Sequence, residues 1–344
     1  MKKNSLLQIA AAAICLLATA CNKYDDISTP NDFNVTTIKQ TYKVGDSVIF
    51  NFSSGPDFIT FYSGEAGRRY ENRTRVIAAG NPKLVFQTAM QNGILLNNDS
   101  LQLLVSSNLS GYDSASIVRA TWTDITARNT KWPTTLTTTF STSDSIDLTD
   151  FNSVESINIA FRAIGKKYPT AVQRRRQIQN LTLTNILADG TRTPLFSTFA
   201  NTGWVQASLL NNTLPGFNAW NVGTGNISAA DSVRNSNGIT IRTAYPIQFD
   251  PGTTFNNDDN DDWLITSKVN LKTVNPDQGV TIKNETNTAF TGLTYDYYKT
   301  PGVFAQYLYF FRTPGVYNIT FVGTNINMNK RTEVIKQLQI TIVP

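Results

Sequence analysis

The chain has 344 residues, 40% of them hydrophobic, with a formal net charge of +5. It has no histidine, which excludes Ser-His-Asp and Cys-His catalysis, the common zinc sites and the usual neutral-pH proton shuttle. An enzyme of this composition would have to work with carboxylates, tyrosine, lysine or a calcium ion.

Residues 1–26 begin with Lys2 and Lys3, continue as an apolar run from Leu6 to Ala20, and then reach Cys21. A positive start before a short apolar run is the layout of a secretory signal, and the run is too short for a comfortable transmembrane span. Cys21 directly after Ala18-Thr19-Ala20 resembles a bacterial lipobox, although Ala18 stands where leucine is usual. The expectation is a signal peptide over 1–20 and a lipid-carrying N-terminus at Cys21. Asn22-Lys23-Tyr24-Asp25-Asp26 resembles the lysine-plus-acid export tags of Bacteroidota lipoproteins, which implies the outer face of the outer membrane. A charged tether over 21–32 would also suit a periplasmic lipoprotein. Of the two cysteines, Cys15 leaves with the signal, so no intrachain disulfide can form. Loss of Lys2 and Lys3 takes two from +5 and leaves +3, too little to argue for nucleic acid or a membrane surface as partner.

From Asp32 the chain reads as strands and turns, with no helical periodicity. Apolar and polar residues alternate in Ser47–Phe52, Ser156–Phe161, Tyr317–Phe321 and Gln337–Ile342, each near turn-forming residues. An all-β assembly of sandwiches follows. A first block over 33–82 and a last over 271–344 are each short for a seven-strand sandwich. They resemble the front and back of one Ig/PKD-like fold split by an insertion; two separate small sandwiches are the alternative. The middle block, 83–270, holds all five tryptophans and has the length of a jelly-roll.

Gly45-Asp46-Ser47-Val48 and Asp57-Phe58-Ile59-Thr60-Phe61-Tyr62-Ser63-Gly64-Glu65, continued by Tyr70, Arg73 and Arg75, resemble the opening of the Bacteroidota lipoproteins of domain-of-unknown-function family 5017. Leu103–Ser106, Ala120–Ile125 and Ile159–Arg162 continue that resemblance. Asp261–Ser267 is similar to a strand motif of galactose-binding-like jelly-rolls, with Thr266-Ser267-Lys268 where Ser-Pro-Pro is commoner. Membership implies a surface lipoprotein, often encoded beside starch-utilisation-type glycan importers, and carries over no catalytic residue.

Candidate chemistry is sparse. Asp258, Asn260 and Asp262 offer alternating oxygens for a hard cation such as calcium, but the loop lacks an EF-hand's glycine and distal glutamate. A solvated acidic turn is the simpler reading. Tyr307 and Tyr309 share a strand face with Phe311 and are candidates for stacking on a sugar, against the alternative of a buried strand. Trp132, beside Pro133 in a polar stretch, reads as an exposed ring. Arg162, Lys166, Lys167 and Arg174–Arg176 form a basic cluster that could meet acidic glycans or serve as a solvated loop. Five Asp-Ser tripeptides, at Asp46, Asp99, Asp113, Asp144 and Asp231, resemble the Bacteroidota O-glycosylation pattern. There is no Gly-x-Ser-x-Gly, P-loop or Cys-x-x-Cys. The leading expectation is a non-catalytic glycan-binding surface lipoprotein serving an importer complex. An adhesin and a histidine-free glycoside hydrolase are the alternatives.

Overall fold

The computed structural model describes residues 27–91, 93–94, 100–166, 170–196, 202–210, 220–221, 232–234, 240–242, 247–249, 259–283 and 305–344. The expected signal, the bond at Cys21 and half of the tether, 21–26, lie outside these residues. The chain forms two compact units: one is discontinuous, pairing residues up to Arg75 with Pro276–Pro344, and the other is Val76–Asn275. All described strand pairs but one are antiparallel.

The discontinuous unit opens with β1 (Val35–Thr37), β2 (Thr41–Lys43), β3 (Ser47–Phe52) and β4 (Phe58–Tyr62). β3 and β4 bury every second residue, Val48 and Phe50 on one strand and Ile59 and Phe61 on the other. Gly45, at φ +82°, turns the chain into β3, and the Asp46 carboxylate accepts from the Lys43 N–H at 2.9 Å. The inserted unit supplies β5–β18. The chain then returns as β19 (Val280–Lys283), β20 (Gln306–Phe310), β21 (Gly315–Ile326) and β22 (Arg331–Val343). One sheet runs β1-β3-β20 and the other β19-β4-β21-β22-β2, with β2 parallel to the end of β22. This is immunoglobulin-type strand pairing. Segments from the two ends of the chain meet in both sheets, β3 with β20 and β4 with β21. Between them packs an aromatic core in which Phe50, Phe61 and Phe321 have ring centroids 5.0–5.8 Å apart. Pro314-Gly315-Val316-Tyr317 closes as a tyrosine corner, the Tyr317 hydroxyl donating to the Thr313 carbonyl at 2.9 Å.

The inserted unit comprises β5 (Asn81–Gln91), β6 (Ser100–Ser106), β7 (Thr123–Asp124), β8 (Thr137–Thr142), β9 (Ile146–Asp147), β10 (Asn158–Gly165), β11 (Arg175–Ile186), β12 (Arg192–Phe196), β13 (Val205–Ser208), β14 (Trp220–Asn221), β15 (Ser232–Arg234), β16 (Thr240–Arg242), β17 (Ile247–Phe249) and β18 (Asn260–Ile265). One sheet runs β13-β18-β10-β6-β7. The other runs β14-β17-β11-β5-β8, with β12 on β11 and β9 on β5, while β15 and β16 pair separately. The inner faces bury Phe86, Leu103, Phe161, Leu183, Trp204, Trp220 and Leu264 in one core. The only α-helix among the described residues is α1 (Ser114–Arg119), capped by Asp113, whose carboxylate accepts from the Ser116 N–H. At six residues it is too short to show a helical period in the sequence.

The unit boundaries fall at Arg75/Val76 and Asn275/Pro276, several residues from the 82/83 and 270/271 positions read from composition. Backbone pairing explains the difference. Ala78 N–H donates to the Lys272 carbonyl at 2.8 Å and Val274 N–H to the Val76 carbonyl at 3.0 Å, tying 76–78 to 272–274 within the inserted unit.

Candidate functional site

Leu103–Ser106, Ala120–Ile125, Ile159–Arg162 and Asp261–Ser267 are far apart in sequence. The fold places them on or beside four neighbouring strands, β6, β7, β10 and β18. Strand alternation sends Leu103, Val105, Ile159, Phe161 and Leu264 into the main core. The opposite face carries Gln102, Leu104, Ala160, Arg162, Trp263 and Ile265. Part of it is apolar: Leu104, Ala160, Trp263 and Ile265 pack with Leu109 and Ile117 in a second, smaller cluster. The segment from Asn108 to Trp122 folds over that cluster. Asn108 Oδ1 accepts from Thr121 N–H at 2.8 Å, and the Trp122 indole N–H donates to the Ile117 carbonyl at 3.0 Å.

Beside this cluster the face becomes polar. The register sets Gln102 opposite Arg162 and Arg162 opposite Trp263. Arg162 forks onto Asp261, Nε to Oδ1 at 2.7 Å and Nη2 to Oδ2 at 2.6 Å. Its Nη1 donates to Gln102 Oε1 at 3.3 Å, and Gln102 Nε2 donates onward to Asp124 Oδ2 at 3.3 Å. The Trp263 indole N–H donates to Asp261 Oδ1 at 3.0 Å. The Arg162 guanidinium lies 5.0 Å from the Trp263 ring centroid, and Trp122 packs on the same ring at 4.9 Å. The carboxylate bonds hold the Arg162 pKa above its ordinary value. Trp263 is only 4% accessible, whereas Trp122 and Gln102 are half-buried and Asp124 is exposed. An aromatic ring thus sits at the end of a row of fixed donors and acceptors, an arrangement suited to gripping a hydroxylated ligand.

The residues singled out from sequence lie elsewhere. Trp132 is half-buried, not exposed: its ring packs on Phe86 at 5.5 Å and its N–H donates to the Thr126 carbonyl at 3.0 Å. Tyr307 and Tyr309 belong to the discontinuous unit and pack on Phe61, each with ring centroids 5.0 Å away. Tyr309 donates to Glu65 Oε2 at 2.5 Å, and the fully buried Ser63 hydroxyl donates to the same oxygen at 2.8 Å. Burial pushes both tyrosine pKa values up to about 12, with Glu65 adding to the rise at Tyr309. Among the described residues, Tyr307, Leu308, Tyr309, Phe310 and Arg312 line a cavity of about 280 Å³.

Asp258 lies outside the described residues. Asn260 and Asp262 sit in β18, an extended strand rather than a wrapping loop, with the Asn260 amide donating to Gln173 Oε1 at 2.7 Å and Asp262 wholly buried. Among the described residues no cluster of three or more His, Cys, Asp or Glu is placed to hold a metal. The basic cluster divides, Arg162 pairing with Asp261 and Lys166 with Asp259. Ser47, Ser114 and Ser145 of the Asp-Ser tripeptides are exposed, while Asp99 and Asp231 lie outside the described residues. Of the row around Trp122, only Arg162 has a role from sequence, as part of the basic cluster. The row's one other signal was the Asp-x-Trp spacing of Asp261 and Trp263, which puts both on one strand face.

Among the described residues no helix is long and apolar enough to cross a membrane. Neither a curated protein nor a solved structure matches the chain significantly. A family model, Domain of unknown function (DUF5017), matches residues 20–204, more than half of the chain. It spans the described strands β1–β12 and three of the four motifs that meet on the five-stranded sheet. The chain belongs to this family of unknown function.

Proposed function

We propose that this protein is a lipoprotein of the outer-membrane surface in a bacterium of the Bacteroidota, anchored through Cys21, that binds glycan without transforming it, as an accessory to a polysaccharide importer. The observation that carries the reading is the half-buried Trp122 beside the fixed row Asp124, Gln102, Arg162 and Asp261. A pyranose offers a C–H face for the ring and hydroxyls that both donate and accept, and this row presents both kinds of partner. The two-sheet antiparallel sandwich supports a galactose-binding-like jelly-roll as its scaffold. A composition without histidine supports binding over catalysis.

A polysaccharide array probed with the full chain tests the binding. The expected result is retention on at least one glycan, lost in Trp122→Ala; no retention on any would contradict the reading, and capture of envelope protein without glycan would favour an adhesin. Labelling with radioactive palmitate in cells, abolished by Cys21→Ser, tests the anchor.

A further inference from the structure

The charges of the row narrow the ligand class, and this step rests on the glycan-binding reading. Two carboxylates, Asp124 and Asp261, flank a single guanidinium, Arg162, so the row carries one net negative charge. Nearby on α1, Arg119 lies close enough to Asp113 to lower its pKa, so these two offset each other. Arg162 has Nε and Nη2 committed to Asp261 and one Nη1 proton to Gln102. Of its five N–H donors, two are left for a ligand. A uronate or sulfate would have to compete with Asp261 for the fork, against a near-ideal pair with 12% exposure on its carboxylate side. It would also approach Asp124, which is exposed and already negative. A neutral hydroxyl meets neither obstacle. It accepts from a spare Arg162 N–H and donates to Asp124, whose oxygens each take one bond from the protein, from Thr126 N–H at 2.8 Å and from Gln102.

We infer that the face around Trp122 selects uncharged pyranosides and rejects acidic glycans. Rejection comes from Asp124 together with the prior commitment of Arg162. Discrimination on this basis differs from that of an open arginine cluster, which would prefer acidic polymers.

The test is affinity electrophoresis of the full chain in polymers with matched backbones: hydroxyethylcellulose against carboxymethylcellulose, methyl-esterified against de-esterified homogalacturonan, and dextran against dextran sulfate. The expected result is retardation by at least one neutral polymer, at least tenfold weaker with its anionic partner and abolished in Trp122→Ala. Asp124→Asn, which keeps the shape and one acceptor oxygen for the Thr126 N–H but loses the charge, should narrow the discrimination at least threefold. Near-UV circular dichroism establishes that both variants remain folded; if Trp122→Ala does not, Trp122→Phe takes its place. Trp122-dependent binding of an anionic polymer as tight as its neutral partner would overturn the charge selection and leave glycan binding standing. Neutral binding indifferent to both Trp122 variants would overturn the site. Binding to none of these polymers and to no glycan of the wider array would overturn both.

Discussion

Asp261→Asn removes the charge at the buried end of the polar row and leaves its shape. Asp261 accepts three bonds, two from the Arg162 fork and one from the Trp263 indole. An asparagine has one acceptor oxygen, so it keeps at most part of that set and loses the charge assistance in all of it. A hydrogen bond to a charged partner contributes about 1.5–3 kcal/mol, and breaking a fully buried pair costs about 3–5 kcal/mol. The Arg162 side chain is 29% exposed, so water screens part of the loss, and about 2 kcal/mol is expected. With a urea m-value of about 2.5 kcal/mol/M for a unit of this size, the midpoint should fall by about 0.8 M. Tryptophan fluorescence reads this well, because all five tryptophans lie in the inserted unit and two of them flank the pair. A midpoint within about 0.2 M of the wild type would show that the fork contributes no more than a surface ion pair, and would refute the rigid row.

Three further outcomes concern the discontinuous unit, which has no tryptophan and is followed by tyrosine near-UV circular dichroism. Gly64→Ala should cost about 2–4 kcal/mol, because Gly64 sits at φ +79° and an added Cβ would lie 2.6 Å from the Asn318 carbonyl oxygen; an unchanged thermal midpoint would contradict this. Tyr317→Phe, which breaks the corner bond to the Thr313 carbonyl, should cost about 1 kcal/mol and no more, since Thr313 is exposed and water can replace the donor. Tyr307 and Tyr309 have folded pKa values raised from 10.0 to about 12. Their contribution is therefore complete below pH 10 and is lost as the pH rises from 10 towards 12. Tyr309→Phe should flatten that alkaline loss, and a stability profile with the same slope in both proteins would contradict it.

Period-two alternation carried much of the fold. Ser47–Phe52 is a strand over the span its pattern marks, because it buries one face against an aromatic core. The site was far less legible. Trp122 and Trp263 are neighbours only because β7, β6, β10 and β18 register as they do, which no local pattern encodes. Trp132 misled for the converse reason. Its neighbours in sequence are polar, but Asn129 Oδ1 ties them back by accepting from Lys131 and Asp144 N–H, and the ring turns onto Phe86. Glu65, in the most family-like segment, bonds Tyr309 across 244 residues.

Hydrogen-exchange mass spectrometry of the full chain, with and without a neutral polysaccharide that retains it, tests the central claim most directly. Protection concentrated in 100–124, 158–166 and 259–265 is the predicted result. Protection confined to the discontinuous unit, with those three segments unchanged, would contradict it.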